Sequence, residues 1–137
     1  MGLVRQHIRL ANAAKPDLEE IDANALVDSG AMDLCIPEHV AIQLKLQKAE
    51  DREVTLADGK RQVVSYVGPV RVEAFGRSTF TGALVLGNEV LLGAIAMQGM
   101  DVLIDPRREQ LIPNPDNPNI PGGLAMGHVV ERGDKNA

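Results

Sequence analysis

The chain has 137 residues and a formal net charge of −5, and 45% of its residues are hydrophobic while only 2% are aromatic. The length indicates one domain with a single core of aliphatic side chains and Met. The acidic balance argues against nucleic acid or an anionic membrane surface as the main partner, and the scarcity of aromatics argues against stacking on bases.

No signal for membrane insertion or secretion is recognised in the sequence. No apolar run reaches the roughly 18 residues of a membrane span, and no basic segment followed by an apolar one opens the chain. The chain has one cysteine, Cys35, which cannot form an internal disulfide and is consistent with a reducing compartment. We therefore expect a cytoplasmic protein that makes no membrane contact.

Alternating and apolar stretches predict a mainly β chain. The predicted strands are, in chain order, residues 4–10, 18–27, 52–56, 62–67, 70–75, 79–86, 102–105 and 110–113. Gly68 and Pro69 predict a break between two of them. Two short helices are expected, one opened by Pro37 and ending near residues 45–48, the other within residues 94–99. The closely spaced turns favour a compact barrel or sandwich.

Two stretches without apolar periodicity divide the rest of the chain. The first runs from Ala57 to Lys60 and contains Asp58-Gly59, which predicts a tight two-residue hairpin turn. The second begins at residue 114 and is rich in Pro, Gly and Asn, so regular structure is not expected there. We therefore predict a domain over residues 1–113 and a tail over residues 114–137 that lies over the body or a partner.

The most informative stretch is an apolar strand that ends in an acid, with the sequence ALVDSGA at residues 25–31. Asp28 follows residues that favour burial, so its carboxylate is expected at the edge of a core. Ser29 can hydrogen-bond nearby backbone, and Gly30 permits a turn or a close approach. A carboxylate held in this way is a candidate catalytic group. The alternative is a strand that simply ends in an Asx turn.

A second apolar run, Leu91-Leu92-Gly93, is followed by a short helix and a strand, and the hairpin with the Asp-Gly tip lies between the two motifs. This ordered combination resembles the retropepsin-like (clan AA) aspartic proteases, and most closely the small prokaryotic type. The resemblance covers about residues 3–113. It implies an all-β half-barrel with one or two short helices that forms a homodimer.

The resemblance also implies a role for each matching residue. Asp28 is the catalytic aspartate, and Ser29 makes a hydroxyl-to-backbone grip between the subunits. The residues that shape or brace this loop are Gly30, Ala31, Leu91, Leu92 and Gly93. The substrate-binding flap has its tip at Asp58, Gly59 and Lys60, where the charged residues depart from the glycine-rich or apolar tip of the family.

The chemistry of such a site needs two carboxylates that share one proton, because two like charges about 3 Å apart cannot both ionise. The chain carries a single Asp-Ser-Gly, so the second carboxylate is expected from Asp28 of another copy. The implied function is an aspartic endopeptidase that acts on a peptide or protein substrate. No cofactor and no metal are expected.

Other readings of the same residues stay open. The fold could serve as a catalytically silent dimer that binds peptide or protein, or as a plain β domain. Cys35 and His39 are four residues apart, which on a helix would place a nucleophile and a base on one face. Asp33 is a candidate second acid near Asp28. The candidate zinc ligands His7, Cys35, His39 and His128 lack the spacing of known zinc motifs.

Overall fold

A computed structural model describes residues 3–124, and the expected mainly β class with two short helices is confirmed. The strands are β1 (Val4–Asn12), β2 (Ile21–Val27), β3 (Leu34–Ile36), β4 (Gln47–Thr55), β5 (Arg61–Ala74), β6 (Arg77–Val85), β7 (Leu91–Leu92), β8 (Val102–Asp105) and β9 (Gln110–Pro113). The helices are α1 (Glu38–Gln43) and α2 (Ala94–Met100). Neither helix within these residues is long or apolar enough to cross a membrane.

Six strands close into a barrel in the order β1-β2-β7-β3-β6-β5, and β5 pairs again with β1. The β2–β7 and β3–β6 pairs are parallel, whereas the others are antiparallel. Among the described strands, β4 lies outside this ring and pairs only with β5, so β4 and β5 form a projecting hairpin. Strands β8 and β9 form a separate two-stranded sheet.

Aliphatic side chains fill the interior of the barrel, and alternate residues of β1 and of the second half of β5 point into it. Ile8 and Leu10 of β1 and Val70 and Val72 of β5 are fully buried, as alternation predicts. Burying each such side chain contributes about 1.5–3 kcal/mol. Helix α2 adds Met100 to this core, whereas none of the aromatic side chains is buried. The core is therefore built without aromatic packing.

The predicted break at Gly68 and Pro69 is wrong. Strand β5 runs without interruption through both residues, and its register with β6 shifts between Val67 and Val70. A bulge accommodates a proline in a strand, since the missing N–H is not needed in the ladder there. The two strands predicted at residues 62–67 and 70–75 are thus one long strand, which gives the barrel and the hairpin a shared element.

Three element boundaries also differ from the sequence prediction. Helix α1 ends at Gln43 because Lys45 adopts a positive φ of 52°, and the chain is then free to begin β4 at Gln47 rather than at residue 52. Pro37 stands one position before the first helical residue. The hairpin turn has three residues, 57–59, because Leu56 and Lys60 still pair and only Gly59 has a positive φ.

Candidate active site

Strand β2 carries the chain from the core to an exposed acid. It pairs in parallel with β7, so that Leu26 lies opposite Leu91 and Val27 opposite Leu92. Val27 is buried, and the next residue, Asp28, is exposed. The N–H of Asp28 donates to the carbonyl of Leu92 at 3.0 Å, which extends the pairing by one residue. Asp28 therefore leaves the barrel from a backbone held by two neighbouring strands.

The Asp28 carboxylate is oriented by its own loop. Its Oδ1 accepts the N–H of Gly30 at 2.9 Å, and its carbonyl accepts the N–H of Ala31 at 3.2 Å. This is the Asx turn that the sequence allowed. Within residues 3–124 no hydrogen bond is made by the other carboxylate oxygen, Oδ2, or by the Ser29 hydroxyl, and both residues are exposed. Both groups are therefore available to a second molecule.

Gly93 braces the loop from below by permitting a very close backbone approach. A Cβ at this position would lie 2.5 Å from the carbonyl oxygen of Asp33 and 2.8 Å from those of Ala31 and Met32. The next residue, Ala94, donates its N–H to the Ala31 carbonyl at 2.8 Å as helix α2 begins. The structure thus brings Asp28, Ser29, Gly30 and Ala31 together with the Leu91-Leu92-Gly93 run.

The surface around Ser29 is apolar and recessed. Two open clefts, of about 310 and 260 Å³, meet at Ser29 and Ile104, and the first also contains Asp28. Large apolar side chains are exposed at this end of the molecule, Leu3 being 74% accessible. The other exposed apolar side chains near the loop are Met32, Ile95 and Leu103. A second molecule that covered this apolar surface would exclude water from the surroundings of Asp28.

The hairpin that was predicted as a flap projects from the barrel, and its tip is polar and exposed. Asp58 accepts the N–H of Lys60 at 2.9 Å, so its carboxylate serves the turn, and Gly59 supplies the positive φ. Within the described residues, no hydrogen bond, ion pair or shared cleft joins this tip to Asp28. The structure therefore does not bring Asp58, Gly59 and Lys60 together with the Asp28 loop.

The base of the same hairpin carries a cluster that sequence reasoning missed. The guanidinium of Arg52 lies 4.0 Å from the centroid of the Tyr66 ring, and the Tyr66 ring occupies the space that a side chain at Gly82 would need. The pKa of Arg52 is raised, mainly because Glu50 accepts its hydrogen bond, with a smaller contribution from the Asp33 charge. The register of the hairpin would have put Arg52 and Tyr66 on one face, had the strand boundaries been known.

A larger open groove of about 500 Å³ lies beside this cluster and was not predicted either. Its walls come from β4, β5 and β6 and include Tyr66, Pro69, Phe80 and Gly82. The groove is distinct from the two clefts at Ser29, since it shares no lining residue with them. The bulge at Val67–Val70 contributes one of its walls, which is a feature that alternation in the sequence does not reveal.

The proposed cysteine–histidine pair is contradicted by the local structure. Cys35 lies in strand β3, and the helix that carries His39 begins only at Glu38, so the two residues do not share a helical face. The Cys35 thiol is half-buried and donates to the Asp33 carbonyl at 3.9 Å. Burial, and to a lesser degree the Asp33 charge, raises the pKa of the Cys35 thiol. A nucleophilic cysteine needs the opposite shift.

We accordingly expect Cys35 to react slowly with iodoacetamide at pH 7–8. Its raised pKa leaves less thiolate than a free cysteine has at the same pH, and partial burial restricts access. The rate is measured by mass spectrometry on the folded protein, with the urea-unfolded protein as the reference. Equal rates in the two states would show that the thiol is unprotected.

The candidate zinc ligands His7, Cys35 and His39 do not form a metal site. Within residues 3–124 no group of three His, Cys, Asp or Glu side chains is arranged to hold a metal ion. The Nε2 of His7 instead lies 3.2 Å from a carboxylate oxygen of Asp22 on the outside of the barrel. His128 lies outside the described residues.

The comparisons with protein families and with curated proteins found no relative of this chain. No protein-family model matches the chain, and a search of curated proteins found no match. The barrel and the residues at the end of β2 are therefore the features that indicate a function.

Proposed function

We propose that the protein is an aspartic endopeptidase whose active site forms between two copies of the chain, each of which contributes Asp28. The observation that best supports the proposal is the exposure and the hydrogen bonding of the Asp28 carboxylate. It is exposed at a strand end, one oxygen is fixed by Gly30 and the other has no partner within residues 3–124. The loop that holds it rests on the backbone around Gly93.

The proposed reaction uses the two Asp28 carboxylates as a pair that shares one proton. The ionised member takes a proton from water, which then attacks the peptide carbonyl. The protonated member hydrogen-bonds the carbonyl oxygen and stabilises the charge that develops there. Because the two groups interact strongly, the titration belongs to the pair and not to either residue. Cleavage should therefore depend on dimer formation and on pH together.

Within residues 3–124, no hydrogen bond or ion pair joins another aspartate to the Asp28 loop. The Oδ1 of Asp105 accepts the backbone N–H groups of Arg107 and Arg108, and its Oδ2, unlike that of Asp28, has a charged partner in Arg108 at 3.9 Å. Within residues 3–124 no hydrogen bond joins Asp33 to Asp28. A two-fold dimer brings identical residues together at its axis, so a second Asp28 is the simplest completion. The exposed apolar side chains around Ser29 support an interface at the same end of the barrel.

The proposal is tested on the purified protein by two measurements made on the same samples. Analytical ultracentrifugation gives the oligomeric state, and cleavage of casein or of a peptide library is followed from pH 3 to pH 7 with and without a pepstatin-type inhibitor. We expect a dimer and inhibitor-sensitive cleavage. A monomer without cleavage at any concentration would overturn the proposal.

Replacing Ser29 by Ala is expected to weaken the dimer roughly tenfold or more while leaving the free energy of unfolding of each subunit nearly unchanged. The physical reason is that two symmetry-related hydrogen bonds of about 1 kcal/mol each are lost. Sedimentation on a dilution series measures the dissociation constant. If Ser29→Ala dissociates at the same concentration as the wild type, the hydroxyl does not bridge the subunits.

A second candidate function is a catalytically silent dimer that binds peptide or protein in the same clefts. The observation that favours it is the polar hairpin tip, since within residues 3–124 neither Asp58 nor Lys60 forms a hydrogen bond or ion pair with the Asp28 loop. Peptide binding without cleavage, measured on the dimer by fluorescence polarisation, would favour this function. For either candidate we propose a cytoplasmic location, supported by the single half-buried cysteine.

A further inference from the structure

A buried arginine at the start of β6 donates hydrogen bonds to three backbone carbonyls from two other parts of the chain. Arg77 is only 5% accessible. Its Nη1 donates to the carbonyl of Asp101 at 2.9 Å and to that of Met100 at 3.5 Å, and its Nη2 donates to the carbonyl of Asn117. A buried guanidinium needs such acceptors, because an uncompensated charge in the interior is costly. Arg77 thus connects β6 to the end of α2 and to the segment after β9.

Asp101 fastens the same segment from the other side. It caps α2 in the left-handed conformation, with a φ of 56°. Its carboxylate accepts the side-chain amide of Asn114 at 3.0 Å, the side-chain amide of Asn117 at 2.8 Å and the backbone N–H of Gly122 at 2.7 Å. The backbone N–H of Asn114 also donates to the Asp101 carbonyl at 3.0 Å. One carboxylate therefore holds a segment that has no regular secondary structure.

We propose that residues 114–122 form a clasp, fastened to the barrel by Asp101 and Arg77, which opens when the Asp101 carboxylate becomes protonated. An ionised carboxylate is an acceptor only, and here it meets three donors. Protonation removes the negative charge and makes one oxygen a donor, which cannot serve the same N–H groups. The clasp is independent of the proposed peptidase function and stands whether or not the protein cleaves peptides.

The direction of the pH dependence follows from the groups around Asp101. The hydrogen bonds from Asn114, Gly122 and Asn117 and the charge of Arg77 hold the pKa of Asp101 below its ordinary value, the Asn114 bond being the largest cause. Because the pKa of Asp101 is lowered in the folded state, its ionised carboxylate stabilises the closed clasp above the ordinary pKa near 3.9. This stabilisation is lost as the pH falls below that value. The clasp is therefore closed at neutral pH and opens in acid.

Within residues 3–124, Arg77 is the one charged group that lies against this carboxylate. The charged partner is Arg77, at 3.8 Å from Nη1 to Oδ2. Helix α2 contains no charged residue. Asp116, on the clasp itself, is exposed and uses its backbone N–H to donate to the Asn114 side chain. On β8, Asp105 is engaged with the turn that follows it. Asp101 is thus the group whose titration controls the clasp.

The test is hydrogen exchange by NMR on the full chain, with the Gly122 amide as reporter of the clasp and the Val72 amide as reporter of the barrel. We expect Asp101→Asn to lower the protection factor of Gly122 by about tenfold or more at neutral pH and to leave Val72 unchanged. Asn tolerates the left-handed conformation, so the helix cap is retained. In the wild type, Gly122 should lose protection as the pH falls below about 4.

Two further variants separate opening of the clasp from unfolding of the barrel. Asp105→Asn alters a neighbouring aspartate at the end of β8 whose partners within residues 3–124 lie in its own turn, and it should leave Gly122 protection unchanged. If Asp101→Asn unprotects the whole barrel, Asn117→Ala decides, because it removes one donor without touching the helix cap. Unchanged Gly122 protection in Asp101→Asn, or in Asn117→Ala where that variant decides, would overturn the clasp.

Discussion

Replacing Asp28 by Asn is expected to lower the rate of peptide cleavage by at least about 100-fold while leaving the fold and the dimer largely intact. General acid–base catalysis by one positioned group contributes about 10²–10⁴ in rate, and this change removes both members of the pair at once. Asn retains an Oδ1 that can accept the Gly30 N–H, now at 2.9 Å from the carboxylate, so the turn survives. The loss should therefore appear in kcat, with sedimentation and thermal unfolding close to the wild type.

The matched control for Asp28→Asn is Asp105→Asn. Asp105 also follows apolar strand residues and also accepts the N–H two residues ahead, at 3.0 Å from Arg107. The two substitutions are chemically identical, but only one lies in the proposed active site. We expect the control to cleave at the wild-type rate. Cleavage retained by the purified Asp28→Asn protein would rule out Asp28 as the catalytic acid.

Replacing Gly93 by Ala is expected to lower the free energy of unfolding by about 2–4 kcal/mol, the largest effect we predict for a single methyl group in this chain. The cost is not conformational, since Gly93 has φ −96° and ψ −174°, which any residue adopts. The new Cβ would meet three backbone carbonyl oxygens at 2.5–2.8 Å. Backbone cannot rotate away as a flexible side chain does, so the loop and helix α2 must separate.

Urea denaturation measures the Gly93→Ala effect, and Gly123→Ala is the control. A Cβ at Gly123 would find no atom within 4 Å, so that change should leave the free energy of unfolding nearly unchanged. The two variants add the same methyl group in a tight and in an open place. If Gly93→Ala were as stable as the control, the close packing beneath the Asp28 loop would be incorrect.

The elements that sequence reasoning predicted well are those set by local chemistry. The alternation on β1 and the apolar run that ends at Asp28 identified strands. Successive side chains of a strand point to opposite faces, so the spacing of apolar residues shows which face is buried. Gly59 identified a turn because positive φ there suits glycine. Predictions that relied only on residue types that usually interrupt strands were less accurate. Gly68 and Pro69 looked like an end to a strand, but pairing with β6 carries β5 through them as a bulge.

Residues that act over long sequence separations escaped prediction for a physical reason. Arg77 follows a turn, and arginine is a residue type that is usually exposed. It is nevertheless buried, because backbone carbonyls more than twenty residues away in the sequence accept its hydrogen bonds. Residues 114–122 were correctly expected to lack regular structure, and nothing in their composition revealed that Asp101 holds them. Hydrogen bonds of this kind depend on which segments the fold brings together.

The sequence by itself determined the β class, the aliphatic core and the position of an acid at a strand end, because these follow from side-chain period and turn chemistry along the chain. Only the tertiary structure decided that β7 lies beside β2, that Gly93 supports the Asp28 loop and that the hairpin tip stands apart from it. These features depend on distances between segments remote in sequence, which close packing of the whole barrel sets.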